Sequence, residues 1–89
     1  MSNSKQLVEI FKALADHTRL EIVEFLLKKG EASCAELSKH FPLSQPTMSH
    51  HFHKLESAGI LNVRAEGVKH FFSINEQHLA LINQLSKLG

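Results

Sequence analysis

Three residues, Phe41, Pro42 and Leu43, separate a segment that must stop being helical from one that starts afresh at Ser44. Proline has no N–H to donate and pushes its predecessor out of helical geometry, so it closes the first segment. Ser44 is a strong N-cap, and Pro46 is tolerated in the turn that follows. Upstream, Ser33 with Glu36 has capping-box spacing, which opens a short helix running through about His40. Downstream, Gly59 followed by Ile60 predicts a left-handed helix stop with an apolar contact from Leu55 to Ile60. The stretch therefore reads as helix, tight turn, helix.

Other elements follow from period and punctuation. Leu7, Ile10, Phe11 and Leu14 recur at helical spacing and predict a first helix from about Ser4 to Leu14. Asp16 caps a second helix whose apolar face carries Leu20, Val23 and Leu27, with Ile22 and Leu26 beside it. Lys28 and Lys29 suit its negative end and Gly30 stops it. After Gly59 the period changes to two: Leu61, Val63 and Ala65 alternate with polar residues, Gly67 turns the chain, and Val68 to Ile74 is β-branched and aromatic. This predicts a hairpin. With Glu66-Gly67 as its turn, Arg64 and Lys69 face each other, an arrangement that calls for an anion between or beside them. Two solvated charges guarding an exposed edge is the alternative. Asn75 then caps a last helix with Leu81, Leu85 and Leu88 on one stripe and Leu79 and Ile82 beside it.

The expected architecture is mainly α, within the α+β class: five helices with a two-stranded hairpin between the fourth and fifth, in one domain over residues 1–89. A domain this small buries only about 60 to 65% of its unfolded surface. The end helices carry more apolar surface than such a core covers, so Leu7, Ile10, Phe11, Leu81, Ile82 and Leu85 are expected to meet a second copy.

Helical geometry also sorts the stretch SQPTMSHHFHKL. With Met48, Phe52 and Leu55 inward, Pro46, His50, His53 and Ser57 point outward, Ser49 and Lys54 flank them, and His51 sits at the edge of the core. A helix after a tight turn, with a small, polar first turn free of carboxylates, suits the DNA major groove. Gln45 can pair with an adenine edge, Ser49 and His50 can exchange hydrogen bonds with bases, and Thr47 can bond a base or a phosphate. Imidazoles titrate near pH 6.5, so acidification would add charge to such a surface. The chain as a whole carries a net charge of only +1, so DNA binding rests on local placement.

Competing chemistries lack their residues. His50 and His53 offer two metal ligands where a structural zinc site needs four and a catalytic one three, and the single Cys34 cannot supply a thiolate-rich site. No Gly-rich phosphate loop, His-Glu-x-x-His motif or paired acids appear, so no enzyme, metal or cofactor is expected. No apolar run could span a bilayer and the polar start is unlike a secretion signal, which places the protein in the cytoplasm without a membrane partner.

FKALADHTRLEIVEFL, SQPTMSHHFHKLESAGIL and VRAEGVKHFFSI together resemble the second helix, recognition helix and wing of ArsR-type winged helix-turn-helix repressors, over about Leu7 to Ile74. The resemblance implies a homodimer built on the first and last helices, bound to double-stranded DNA at an inverted-repeat operator until a signal, which it does not name, releases it. It implies Ser44 as a phosphate contact, Gln45, Thr47, Ser49 and His50 as base readers, and Arg64 and Lys69 as wing contacts. His53 joins them by its helical face alone. The chain departs from the family at His17, where many relatives have Pro. It also lacks the Cys-x-Cys of soft-metal sensors and the paired Asp and His of zinc sensors, keeping only Cys34 and His78. A module that binds protein instead of DNA, or a metal sensor using histidines from two subunits, are the alternative readings.

Overall fold

Side chains and glycines placed at helix ends set the architecture of the computed structural model, which describes residues 2–75, 77, 78 and 80. The order is α1 (Ser2–Leu14), α2 (His17–Lys29), β1 (Glu31–Ser33), α3 (Cys34–His40), α4 (Gln45–Ser57), β2 (Leu61–Glu66) and β3 (Lys69–Ile74). The Asp16 carboxylate accepts from Arg19 N at 3.0 Å and opens α2, which Gly30 ends at φ +90°. Ser33 and Glu36 close a complete capping box, both bonds being 3.1 Å. At the end of α4, Gly59 N donates to Glu56 O and Ile60 N to Leu55 O, each at 2.9 Å, the paired bonds of a Schellman motif. Caps of this kind stabilise by about 1 kcal/mol each.

The sheet is larger than expected. Three antiparallel strands lie in the order β1-β3-β2, and Glu31, Ala32 and Ser33 pair with Ser73, Phe72 and Phe71. These residues run from the Gly30 stop to the Ser33 cap, beyond the reach of either helical ladder; Glu36 takes the Ser33 N–H, and the second edge of β3 offers the segment its ladder partners. The hairpin register also differs. Glu66 pairs with Lys69 and Arg64 with Phe71, so the two turn residues are Gly67 and Val68 and the cations do not face each other. Only Gly67 has positive φ, at +63°, which matches a turn needing glycine at its first central position. Four helices have defined bounds among the described residues; Gln77, His78 and Ala80 are helical in the expected fifth, while Leu81, Ile82 and Leu85 lie outside the described residues.

The four bounded helices and all three strands send side chains into one core. Ile10, Ile22, Leu26, Leu37, Leu55 and Ile60 are fully buried, each stabilising by about 1.5–3 kcal/mol relative to exposure. Phe52 of α4 stacks on Phe72 of β3 with ring centroids 4.4 Å apart, which ties the hairpin to the helix beside it. Ile10 is therefore not available to a second copy, against expectation: it points from α1 into its own subunit. Leu7 is half-buried, and Phe11 and Val8 remain 50% and 48% exposed. No helix among the described residues is long and apolar enough to cross a membrane.

Candidate nucleic-acid interface

The polar side of α4 faces outward. Ser44, Gln45, Thr47, Ser49, His50 and His53 are all exposed, while Met48, His51, Phe52 and Leu55 are buried. This follows from about 100° of rotation per residue and an apolar stripe that can be covered on one side only. The first turn carries no acid, and Glu56, near the far end, is the one carboxylate on the helix. An anion approaching the N-terminus therefore meets the positive end of the helix dipole with no carboxylate beside it.

Ser44 organises that first turn. Its Oγ accepts from Thr47 N at 3.4 Å and donates to Thr47 Oγ1 at 2.8 Å. With Thr47 Oγ1 accepting from Ser44, its own proton is free to donate outward to a phosphate or base oxygen. The two hydroxyls expected to touch DNA are thus already oriented by each other.

His51 belongs to the scaffold, not to this surface. It is 9% exposed, and Arg19 Nη1 donates to its Nδ1 at 3.3 Å while Asp16 Oδ2 lies 3.9 Å from the same nitrogen. A guanidinium can only donate, so Nδ1 is the acceptor and the ring is neutral. Burial pushes the imidazole below its ordinary value of 6.5; the Asp16 carboxylate opposes this, and Arg19 and His50 add to the lowering. A histidine protonated more readily unfolded than folded supports the fold above pH 6.5 and loses that contribution as pH falls through its folded value. Urea midpoints measured from pH 7.5 to 5 should therefore fall less steeply for His51→Gln than for the wild type. Identical slopes would remove His51 from the account.

The wing is more tightly held than its sequence suggests. Glu31 receives Arg64 Nε at 3.1 Å and Nη2 at 2.9 Å, Glu66 receives Nη1 at 2.6 Å, and the guanidinium carbon lies 4.5 Å above the Phe71 ring. The carboxylates raise the Arg64 pKa above its ordinary value, and the Arg64 hydrogen bonds hold Glu31 below its own. Arg64 thus braces β2 against β1, with its charge already matched. Lys69 lies opposite Glu66 on the paired strand, and Val68 at the tip is 96% exposed.

The helix and the wing bracket two clefts. Gln45 and Lys69 line one of about 430 Å³ together with Cys34 and His70. Ser49 and His53 line another of about 390 Å³ together with Glu56, Val63 and His70. His70 lines both, a position that motif reasoning passed over. Strand alternation would have placed it on the face of Phe72 and Ile74, which turns toward α4. Among the described residues no group of three or more His, Cys, Asp or Glu is placed to hold a metal ion.

Comparison with known proteins covers this whole arrangement. A family described as a helix-turn-helix domain matches residues 14–64. The arsenical resistance operon repressor of Staphylococcus xylosus is 42% identical over 80 residues, spanning 90% of this chain and 76% of that protein. HlyU of Vibrio cholerae, described as a transcriptional activator, is 36% identical over 87 residues, 97% of this chain and 80% of its own. A solved HlyU structure superposes with a TM-score of 0.81 over 97% of this chain and 94% of that one, at 36% identity. A homodimeric winged helix-turn-helix DNA-binding domain from Mycobacterium bovis, described as a possible ArsR-family transcriptional regulator, superposes at 0.81 with 25% identity, over 98% and 80% of the two chains.

Proposed function

This chain belongs to the ArsR family of winged helix-turn-helix transcriptional regulators, and we propose that it is a homodimeric repressor reading an inverted-repeat operator with α4 of each subunit. The carrying observation is the outward strip of Gln45, Ser49, His50 and His53, acid-free in its first turn and preceded by the Ser44–Thr47 pair. On this reading Gln45, Thr47, Ser49 and His50 meet base edges, Ser44 a phosphate, and Lys69 the backbone beside the wing. Arg64 acts mainly by fixing the wing, because its donors are engaged by Glu31 and Glu66.

The exposed Phe11 and Val8 with half-buried Leu7 support pairing through α1, and the sequence spacing of Leu81, Ile82 and Leu85 adds the C-terminal segment to the same reading. The Mycobacterium bovis domain, described as homodimeric, supports a homodimer here as well. Two-fold symmetry then sets the recognition helices about 34 Å apart, one turn of DNA. On this reading the releasing signal is other than a soft metal held by a Cys-x-Cys pair, since Ser33 caps α3 and Cys34 and Ala35 open it.

Sequencing of host genomic fragments retained by the protein is the direct test. A shared pseudo-palindrome with half-site centres about 10–10.5 base pairs apart, or a multiple of that, is the expected result. Retained fragments without any common two-fold element would end the proposal. The likeness to HlyU favours activation as a second reading. Where the retained site lies relative to the promoter separates the two: overlap with it represses, an upstream position activates.

A further inference from the structure

On the side of α4 away from the wing, α1, α2 and α4 converge on a cleft of about 260 Å³ whose charged lining is Glu9, Lys12, Arg19 and Lys54. Lys54 and Glu56 are two residues apart, which turns their side chains about 160° from each other around the helix. The wing side thus receives the acid and this side the base. Three permanent cations against one carboxylate leave a surplus of two positive charges here, whereas the entire chain carries a net charge of +1.

The cations are not consumed by internal pairing. Arg19 Nε donates to Ala13 O at 2.6 Å and Nη1 to His51 Nδ1 at 3.3 Å, so two neutral acceptors fix the guanidinium, and the nearby Asp16 carboxylate offsets only part of its charge. Lys12 meets Glu9 at 3.9 Å with both side chains well exposed, a weak, solvent-screened ion pair that is readily exchanged. A pocket for a drug-sized organic ligand runs to about 300–1,000 Å³. This one is smaller, fits a compact oxyanion, and has the charge surplus that a phosphate dianion would cancel.

We propose that this cleft is a phosphate seat, with the fixed Arg19 guanidinium as its floor and the Lys12 and Lys54 ammonium groups as movable walls. Its occupant is either a backbone phosphate of duplex DNA flanking the bases read by α4 or a free phosphate-bearing solute. The DNA source rests on the DNA-binding reading above; the free source does not.

The test uses the whole chain and the double variant Lys12→Gln, Lys54→Gln, leaving Arg19 in place because its loss would also cut the tie to Ala13. Sodium phosphate is titrated at constant ionic strength while the Arg19 Nε–H resonance is followed. Binding to a random-sequence duplex is measured against salt in parallel. A saturable wild-type shift, weakened at least tenfold in the variant, supports the seat with a free solute as occupant. A salt slope reduced by about one or more in the variant supports the seat with the DNA backbone as occupant. No saturable shift together with an unchanged slope overturns it. If the protein binds no DNA at all, the DNA reading fails and the phosphate titration alone decides the seat.

Discussion

Replacing Gln45, Ser49 and His50 together by alanine is expected to abolish sequence preference while leaving a folded protein that still binds DNA weakly. Each side chain is exposed, so the change should alter stability by only about 0.5 kcal/mol per site. Each well-formed base contact contributes about 1–3 kcal/mol of discrimination, and in a homodimer every substitution acts at both half-sites. The sum, about 6–18 kcal/mol over two half-sites, is comparable to or larger than the gap of about 4–10 kcal/mol between specific and non-specific binding, so specific affinity should drop to near the non-specific level. Competition between a selected site and random duplex at fixed salt measures this. A variant that keeps the wild-type ratio would show that α4 is not the reader.

Gly59→Ala should be the most damaging single methyl addition among the described glycines. Gly59 has φ +79°, where a side chain costs about 1–2 kcal/mol, and the added Cβ would lie 2.9 Å from His78 Nε2 and 3.0 Å from its Cε1. The His78 ring is 7% exposed and its Nε2 contacts Gln6 Nε2 at 2.7 Å, so moving it also disturbs the link to α1. A combined loss of about 2–3 kcal/mol would lower the melting temperature by about 10–20 °C in a domain of this size. Gly67→Ala is the control, because at φ +63° its new Cβ would meet nothing within 4 Å. Equal shifts for the two variants would mean that the packing of His78 on Gly59 contributes nothing.

What was legible in the sequence was local. Asp16, Ser33 with Glu36, Ser44 and Gly59 each act within three or four residues, and each caps the helix its spacing implies. The outward strip on α4 was equally legible, because one apolar stripe fixes every other direction on a helix. Interactions between distant residues were not. β1 is three residues long, too short to display a period, and exists because β3 has a second edge. The hairpin turn was misplaced by one because Gly67 can be either its first or its second residue. The anion that Arg64 calls for cannot be named from the sequence because Glu31 lies 33 positions away, and His51 meets an Arg19 that is 32 positions distant. Ile10 was assigned outward since a stripe covering half of α1 does not say which apolar residues its own core claims.

The Arg64 brace reaches from the hairpin to the strand that leads into α3, so hairpin and helices are tied across the sheet. The more that tie restrains the span between them, the more of the mutual fit falls to the duplex. Operators with identical contacted bases but stiffer or more pliable steps between them should then be held with different strength, since deforming a 20–30 base-pair site costs of order 1–6 kcal/mol depending on its sequence.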